Sequence, residues 1–203
     1  MAGGLFACVG LVVLLAKAAG AGRVDQLVAF GIFGLSLIAL YAASALYHLL
    51  PLSAPGTAKL RRVDHIAIFV LIAGTYTPFC LLALHGAWRV VLLGLIWGLA
   101  LCGILLKLLR MDAPRWVSVA LYLAMGWVAV VAAPALFRAV PAGGMAWVLG
   151  GGLVYSAGAF VYGLKRPNVL PGVFGFHELW HLFVLAGSTC HFWAVLWYIA
   201  PLA

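Results

Sequence analysis

Seven separate stretches of this chain are apolar for long enough to cross a lipid bilayer as a helix, and no other feature limits its fold so strongly. One crossing takes ~20 residues. The runs lie at about 2–19, 26–49, 64–84, 88–106, 115–137, 145–164 and 176–200. Hydrocarbon offers no water to bond exposed backbone groups, so each segment must satisfy its own N–H and C=O groups, as an α-helix does. Composition agrees, since 67% of the 203 residues are hydrophobic and 8% are charged, whereas a soluble domain carries about 25% charged residues. The connections are short, so residues 1–203 are expected to form one all-α domain, a seven-transmembrane helix bundle.

The few charges carry topology. Net charge is +8, yet the basic residues stand singly or in small groups at the ends of runs. No basic helix face is interleaved with aromatics, which excludes a nucleic-acid partner. The second, fourth and sixth connections hold eight basic residues, Lys59, Arg61, Arg62, Lys107, Arg110, Arg115, Lys165 and Arg166. The first, third and fifth hold four, Lys17, Arg23, Arg89 and Arg138. Basic loops stay in the cytoplasm, so the amino terminus is expected there and the carboxyl terminus outside. Ala16-Lys17-Ala18 resembles a signal-peptide cleavage site, but no basic region precedes the apolar stretch, and the first run is read as a span. Cys8, Cys80, Cys102 and Cys190 all lie inside spans without Cys-x-x-Cys spacing, as packing residues do. Glycines such as Gly150-Gly151-Gly152 and Gly158 suit close helix packing.

Ionisable groups inside a span are expensive and therefore point to function. The last span opens with His177-Glu-Leu-Trp-His181. Residues four apart on a helix differ by ~40° and ~6 Å, so both imidazoles share a face, an arrangement that holds metal ions. The expected topology places the end of the second span (His48), the start of the third (Asp64) and the start of the seventh at the same cytoplasmic depth. Three neutral imidazoles with one open position make a catalytic type of Zn2+ centre, in which the pKa of water falls towards ~7. The ligands would be His48, His177 and His181. Asp64 would orient or deprotonate the water, or serve as a fourth ligand; equally, beside Arg61 and Arg62, it could be a salt-bridged helix start. Ser44, one turn before His48, could bond a ligand, water or substrate carbonyl, or its own helix.

Other polar residues are weaker candidates. His65 is ~100° around its helix from Asp64 and could at most support a ligand from behind. His85 is expected in a solvated outer loop. His191 is ~21 Å along the helix from His177, too far for the same ion, so it either packs or lines a cavity above the site. His177-Glu178-x-x-His181 also matches the metalloprotease pattern in which the glutamate is the general base. No acid follows Glu178 and the chain has no Asp-Gly, so a peptidase would have to borrow His48 or Asp64 as third ligand.

Taken together, Ser44-Ala-Leu-Tyr-His48-Leu-Leu-Pro51, Asp64-His-Ile-Ala-Ile-Phe-Val-Leu-Ile-Ala-Gly-Thr-Tyr-Thr-Pro-Phe79 and His177-Glu-Leu-Trp-His181-Leu-Phe with Cys190-His191-Phe resemble the bacterial hemolysin III proteins. These are the prokaryotic branch of the progestin and adipoQ receptor family, which includes the adiponectin receptors. The resemblance implies seven spans, a cytoplasmic amino terminus and zinc near the inner face. Its ligands would be His48, His177 and His181, with Asp64 holding the water and Ser44 beside the site, and with Glu178 incidental. Relatives carry a polar Glu…Asn…His segment before the first span, whereas this chain starts Met1-Ala-Gly-Gly-Leu, so a role for that segment in closing the cytoplasmic mouth is not carried over.

The resemblance further implies a bacterial inner-membrane protein whose partners are membrane lipids. Adiponectin receptors and the similar alkaline ceramidases suggest zinc-dependent hydrolysis of an acyl lipid amide or ester, with the acyl chain in a cavity between spans. Trp97, Trp127, Trp147 and Trp193 are candidate cavity walls, unless they pack or form an interfacial belt. The alternatives are a structural zinc in a membrane-homeostasis or sensor protein, and a cytolysin. No amphipathic toxin helix supports the last.

Overall fold

The computed structural model describes residues 2–111, 113–170 and 174–202. In chain order the helices are α1 (Ala2–Gly20), α2 (Val24–Leu49), α3 (Ala54–Pro78), α4 (Gly86–Leu109), α5 (Arg115–Trp127), α6 (Ala133–Ala139), α7 (Ala142–Leu164) and α8 (Phe176–Ala194). Single π-helical segments extend α3 over Phe79–Ala83 and α8 over Val195–Ile199. Seven segments are long and apolar enough to cross a membrane, with α5 and α6 together making the fifth, Arg115–Ala139. The described residues contain no strand, only an isolated bridge between Leu170 and Phe174 in the α7–α8 connection.

Two spans depart from their hydropathy pattern. α3 begins at Ala54, ten residues before the apolar run, because Ser53 and Pro55 build a helix start ahead of it. Proline is pre-organised for a first turn, where its missing N–H is not needed. Lys59, Arg61 and Arg62 therefore ride on helix rather than loop, and Asp64 lies well inside α3 instead of at its start. The expected salt-bridged start is also not observed, since the only ion pair among the described residues joins Arg23 to Asp25 at 2.6 Å.

The fifth span is broken. Val128–Ala132 tightens to a 3-10 turn just before Pro134, which cannot donate to a preceding carbonyl and clashes with it. The loosened backbone is bonded by one side chain of α3. The Tyr76 hydroxyl lies 3.0 Å from the Met125 carbonyl and 2.7 Å from that of Gly126, and accepts from the Ala129 N–H at 2.9 Å. Irregular backbone at membrane depth survives only with such protein partners.

Packing relies on large side chains set into small ones. Phe30, Phe33, Phe69 and Leu37 are fully buried between α1, α2, α3 and α4. α7 lies along α8, where the ring of His191 fills the space over Gly151, Phe183 and Trp180 cover Gly158, and Tyr155 covers Gly187. A side chain at any of these glycines would collide, so small residues set this close approach. The outward faces are apolar too, as at Leu5 (70% exposed) and Leu153 (60%), which suits contact with lipid.

Candidate metal centre

α2 ends and α8 begins at the same end of the bundle, which brings His48 in the last turn of one beside His177 and His181 in the first turns of the other. The start of α8 is held by two contacts. The Glu178 carboxylate accepts from the Gly175 N–H at 2.8 Å, and the Asn168 side-chain oxygen accepts from the Phe176 N–H at 3.2 Å. These satisfy donors that a helix start leaves unpaired. Glu178 is exposed and occupied as a helix cap, so it is not placed as the base of a peptidase.

The three histidines converge through their Nε2 atoms. His177 Nε2 stands 3.2 Å from His48 Nε2 and 3.2 Å from His181 Nε2, and all three ligand atoms fall within 4.8 Å of one another. A neutral imidazole nitrogen carries either one proton or one lone pair, so His177 Nε2 can satisfy at most one of its two neighbours well by hydrogen bonding. A cation removes the conflict because every nitrogen then presents a lone pair to it. Zinc bonds of 2.0–2.1 Å in tetrahedral array set nitrogens about 3.3 Å apart. The donor set and the two 3.2 Å spacings at His177 therefore fit a metal ion of the borderline kind that imidazole binds.

Arg115 supports this end of the bundle. Its guanidinium lies 4.6 Å from the Tyr162 ring centroid and 5.6 Å from that of Phe176, and it donates to the Tyr162 carbonyl at 3.3 Å. Tyr162 in turn packs 6.1 Å from His177. Stacking of this kind is typical of arginine on aromatic faces.

His181 opens onto a largely apolar cavity of about 240 Å³ whose wall also includes Ser44 and Asp64. Asp64 thus lines the cavity but is not among the three converging histidine nitrogens. His65 is elsewhere, its Nδ1 donating to the Arg61 carbonyl at 2.6 Å. His85 is exposed just before α4. His191 does line the cavity, and its Nδ1 donates to the Gly187 carbonyl at 2.9 Å.

Of the four tryptophans singled out, Trp127 lines the cavity. Trp97 instead donates to Thr77 at 3.2 Å, and Trp193 stacks on Trp197 with centroids 6.2 Å apart. Trp180, Tyr41 and Tyr155 also line the cavity and were not found from the sequence. Trp180 lies inside the histidine motif, one residue from His181, and what hid it is the rotation of the helix against its neighbours, which residue count does not give.

The Haemolysin-III related family matches residues 1–192. Hemolysin-3 of Bacillus cereus is 38% identical over 202 residues, covering 99% of this chain and 89% of its own length. The Hemolysin-3 homolog of Bacillus subtilis (strain 168) is 38% identical over 188 residues, 93% of this chain and 85% of the relative. The human monocyte to macrophage differentiation factor is 26% identical over 175 residues, 83% of this chain and 69% of the relative.

Proposed function

This chain belongs to the Haemolysin-III related family, and from that footing we propose that it is a zinc-dependent hydrolase of an acyl lipid amide or ester in the bacterial inner membrane. One observation carries the reading: three histidine nitrogens converge beside an apolar cavity that also exposes a carboxylate and a hydroxyl. His48, His177 and His181 would hold the metal. Bound there, zinc supplies Lewis-acid chemistry, polarising a carbonyl and making water more acidic.

The remaining work falls to the chain. The apolar wall takes up the acyl tail and excludes bulk water, which strengthens every polar contact inside. Asp64, lining the cavity that His181 also lines, accepts a proton from the attacking water and returns it to the leaving amine or alcohol. Ser44 donates to the substrate carbonyl and orients it. The substrate head then lies at the cytoplasmic face and its tail points to the bilayer centre.

A second reading has its own support. α2 packs on α1 and α3, whereas α8 packs on α7, so a metal at this site would tie together helices whose main neighbours differ. Zinc could then be a structural clasp in a membrane-homeostasis or sensor protein. The deciding experiment incubates zinc-loaded, detergent-purified protein with ceramides, phospholipids and acyl amides and measures released fatty acid. Release supports the hydrolase, and none from the whole panel overturns it. Leakage of liposomes at low protein-to-lipid ratio would instead favour the lysis named in the Bacillus relatives.

A further inference from the structure

The cavity carries a second polar layer that the proposed hydrolysis does not use. Tyr41 is seven residues before His48 on α2, Ser188 seven after His181 on α8, and Tyr155 seven before Tyr162, the α7 residue beside His177. Seven residues are two helical turns, about 10 Å, and return to nearly the same face. α2 and α7 run towards the histidine end and α8 runs away from it, so all three groups stand at one level, two turns deeper. Tyr41, Tyr155 and His191 lie in the cavity wall.

This layer has hydrogen-bonding capacity to spare. The Tyr41 hydroxyl is buried and meets no partner at full hydrogen-bond distance and angle among the described residues, with the Ser188 hydroxyl close by. Tyr155 and Ser188 bond each other at 2.8 Å, which uses one of their two protons and leaves one to donate. His191 gives its Nδ1 proton to the Gly187 carbonyl, so its Nε2 keeps a lone pair. Donors with an acceptor beside them, the Tyr155 and His191 rings being 5.4 Å apart, match a hydroxyl, which is both. Buried polar groups left unmatched are costly, so a ligand that supplies the match is favoured over one that does not.

We propose that Tyr41, with the Tyr155–Ser188 pair and His191, forms a specificity subsite for a lipid whose acyl chain carries a mid-chain hydroxyl. The idea rests on the reading of the cavity as an acyl-chain site but not on turnover or on the identity of the metal. Its test uses free fatty acids, which are not hydrolysed. Binding of stearate and of a mid-chain hydroxystearate to full-length protein is measured by tryptophan fluorescence, since Trp127 and Trp180 line the cavity.

Wild type should prefer the hydroxylated acid by about three- to ten-fold, the worth of one hydrogen bond. Tyr41→Phe should bind stearate as before and bring the ratio near unity. Ser188→Ala should reduce the preference in the same sense and decides the matter if Tyr41→Phe no longer binds stearate. Equal binding of the two acids by wild type, or an unchanged preference in both variants, overturns the subsite. Binding of neither acid overturns it together with the acyl-chain cavity, while zinc content and lipid hydrolysis remain separate readouts.

Discussion

His177 Nε2 sits between two other imidazole nitrogens at hydrogen-bond distance, and that single position argues hardest for a cation. Elemental analysis of purified wild type should find about one zinc per chain and His181→Ala close to none, because two imidazoles are a poor site for an ion that takes four ligands. Asp64→Asn should keep the metal and lose hydrolysis by roughly 10²-fold or more, the usual worth of a general base. Undiminished fatty-acid release by that variant would remove Asp64 from the chemistry. Glu178→Gln preserves a side-chain acceptor for the Gly175 N–H, so zinc content and activity should match wild type. A collapse of activity there would bring back the peptidase-like reading. At this scale much was legible: depth alone sets His85 and His191 apart from His48, His177 and His181, whereas His65 shares their depth and is set aside by its ~100° turn from Asp64. Asp64 was legible as a site residue but not as a residue of the helix interior, because hydropathy does not see a polar helix start such as Ser53-Ala-Pro55.

The fifth span shows what a helix loses when its own ladder fails and a neighbour replaces it. Pro134 was visible in the sequence, yet the run 115–137 read as one unbroken helix, because average hydropathy is indifferent to a missing N–H. Nothing local marks Tyr76, about fifty positions away, as the group that bonds Met125, Gly126 and Ala129. Tyr76→Phe keeps the ring and removes those bonds. It should lower stability by ~1–3 kcal/mol, the cost of leaving buried polar groups unpaired. The measurement is a thermal melt in detergent, with an unchanged midpoint counting against the role assigned to the hydroxyl.

For the whole molecule, a metal held at the α2–α8 junction would couple the stability of the bundle to that ion. An ion that binds only the folded chain stabilises it by about 3 kcal/mol when present at about 100 times its Kd. Chelation should therefore lower the melting temperature, and added zinc should restore it. The His181→Ala variant should melt at the same temperature with or without chelator. If wild type behaves like the variant, the three histidines are a polar cluster without a resident ion.

Hydropathy alone determined the number of spans, since a bilayer demands long apolar helices wherever a chain crosses it. Helical periodicity alone put His177 and His181 on one face. No crossing separates His48 from Asp64 and an even number, four, separates Asp64 from the start of the last span, which was enough to predict a shared depth. What only the tertiary structure decided is which groups at a shared depth meet: three Nε2 atoms within 4.8 Å, Asp64 in the adjoining wall, and His65 turned to its own helix. It also decided the repair of the broken span and the second polar layer. The physical reason is the same in each case, because depth follows from residue count along a helix, whereas lateral neighbours follow from how helices rotate and pack against one another.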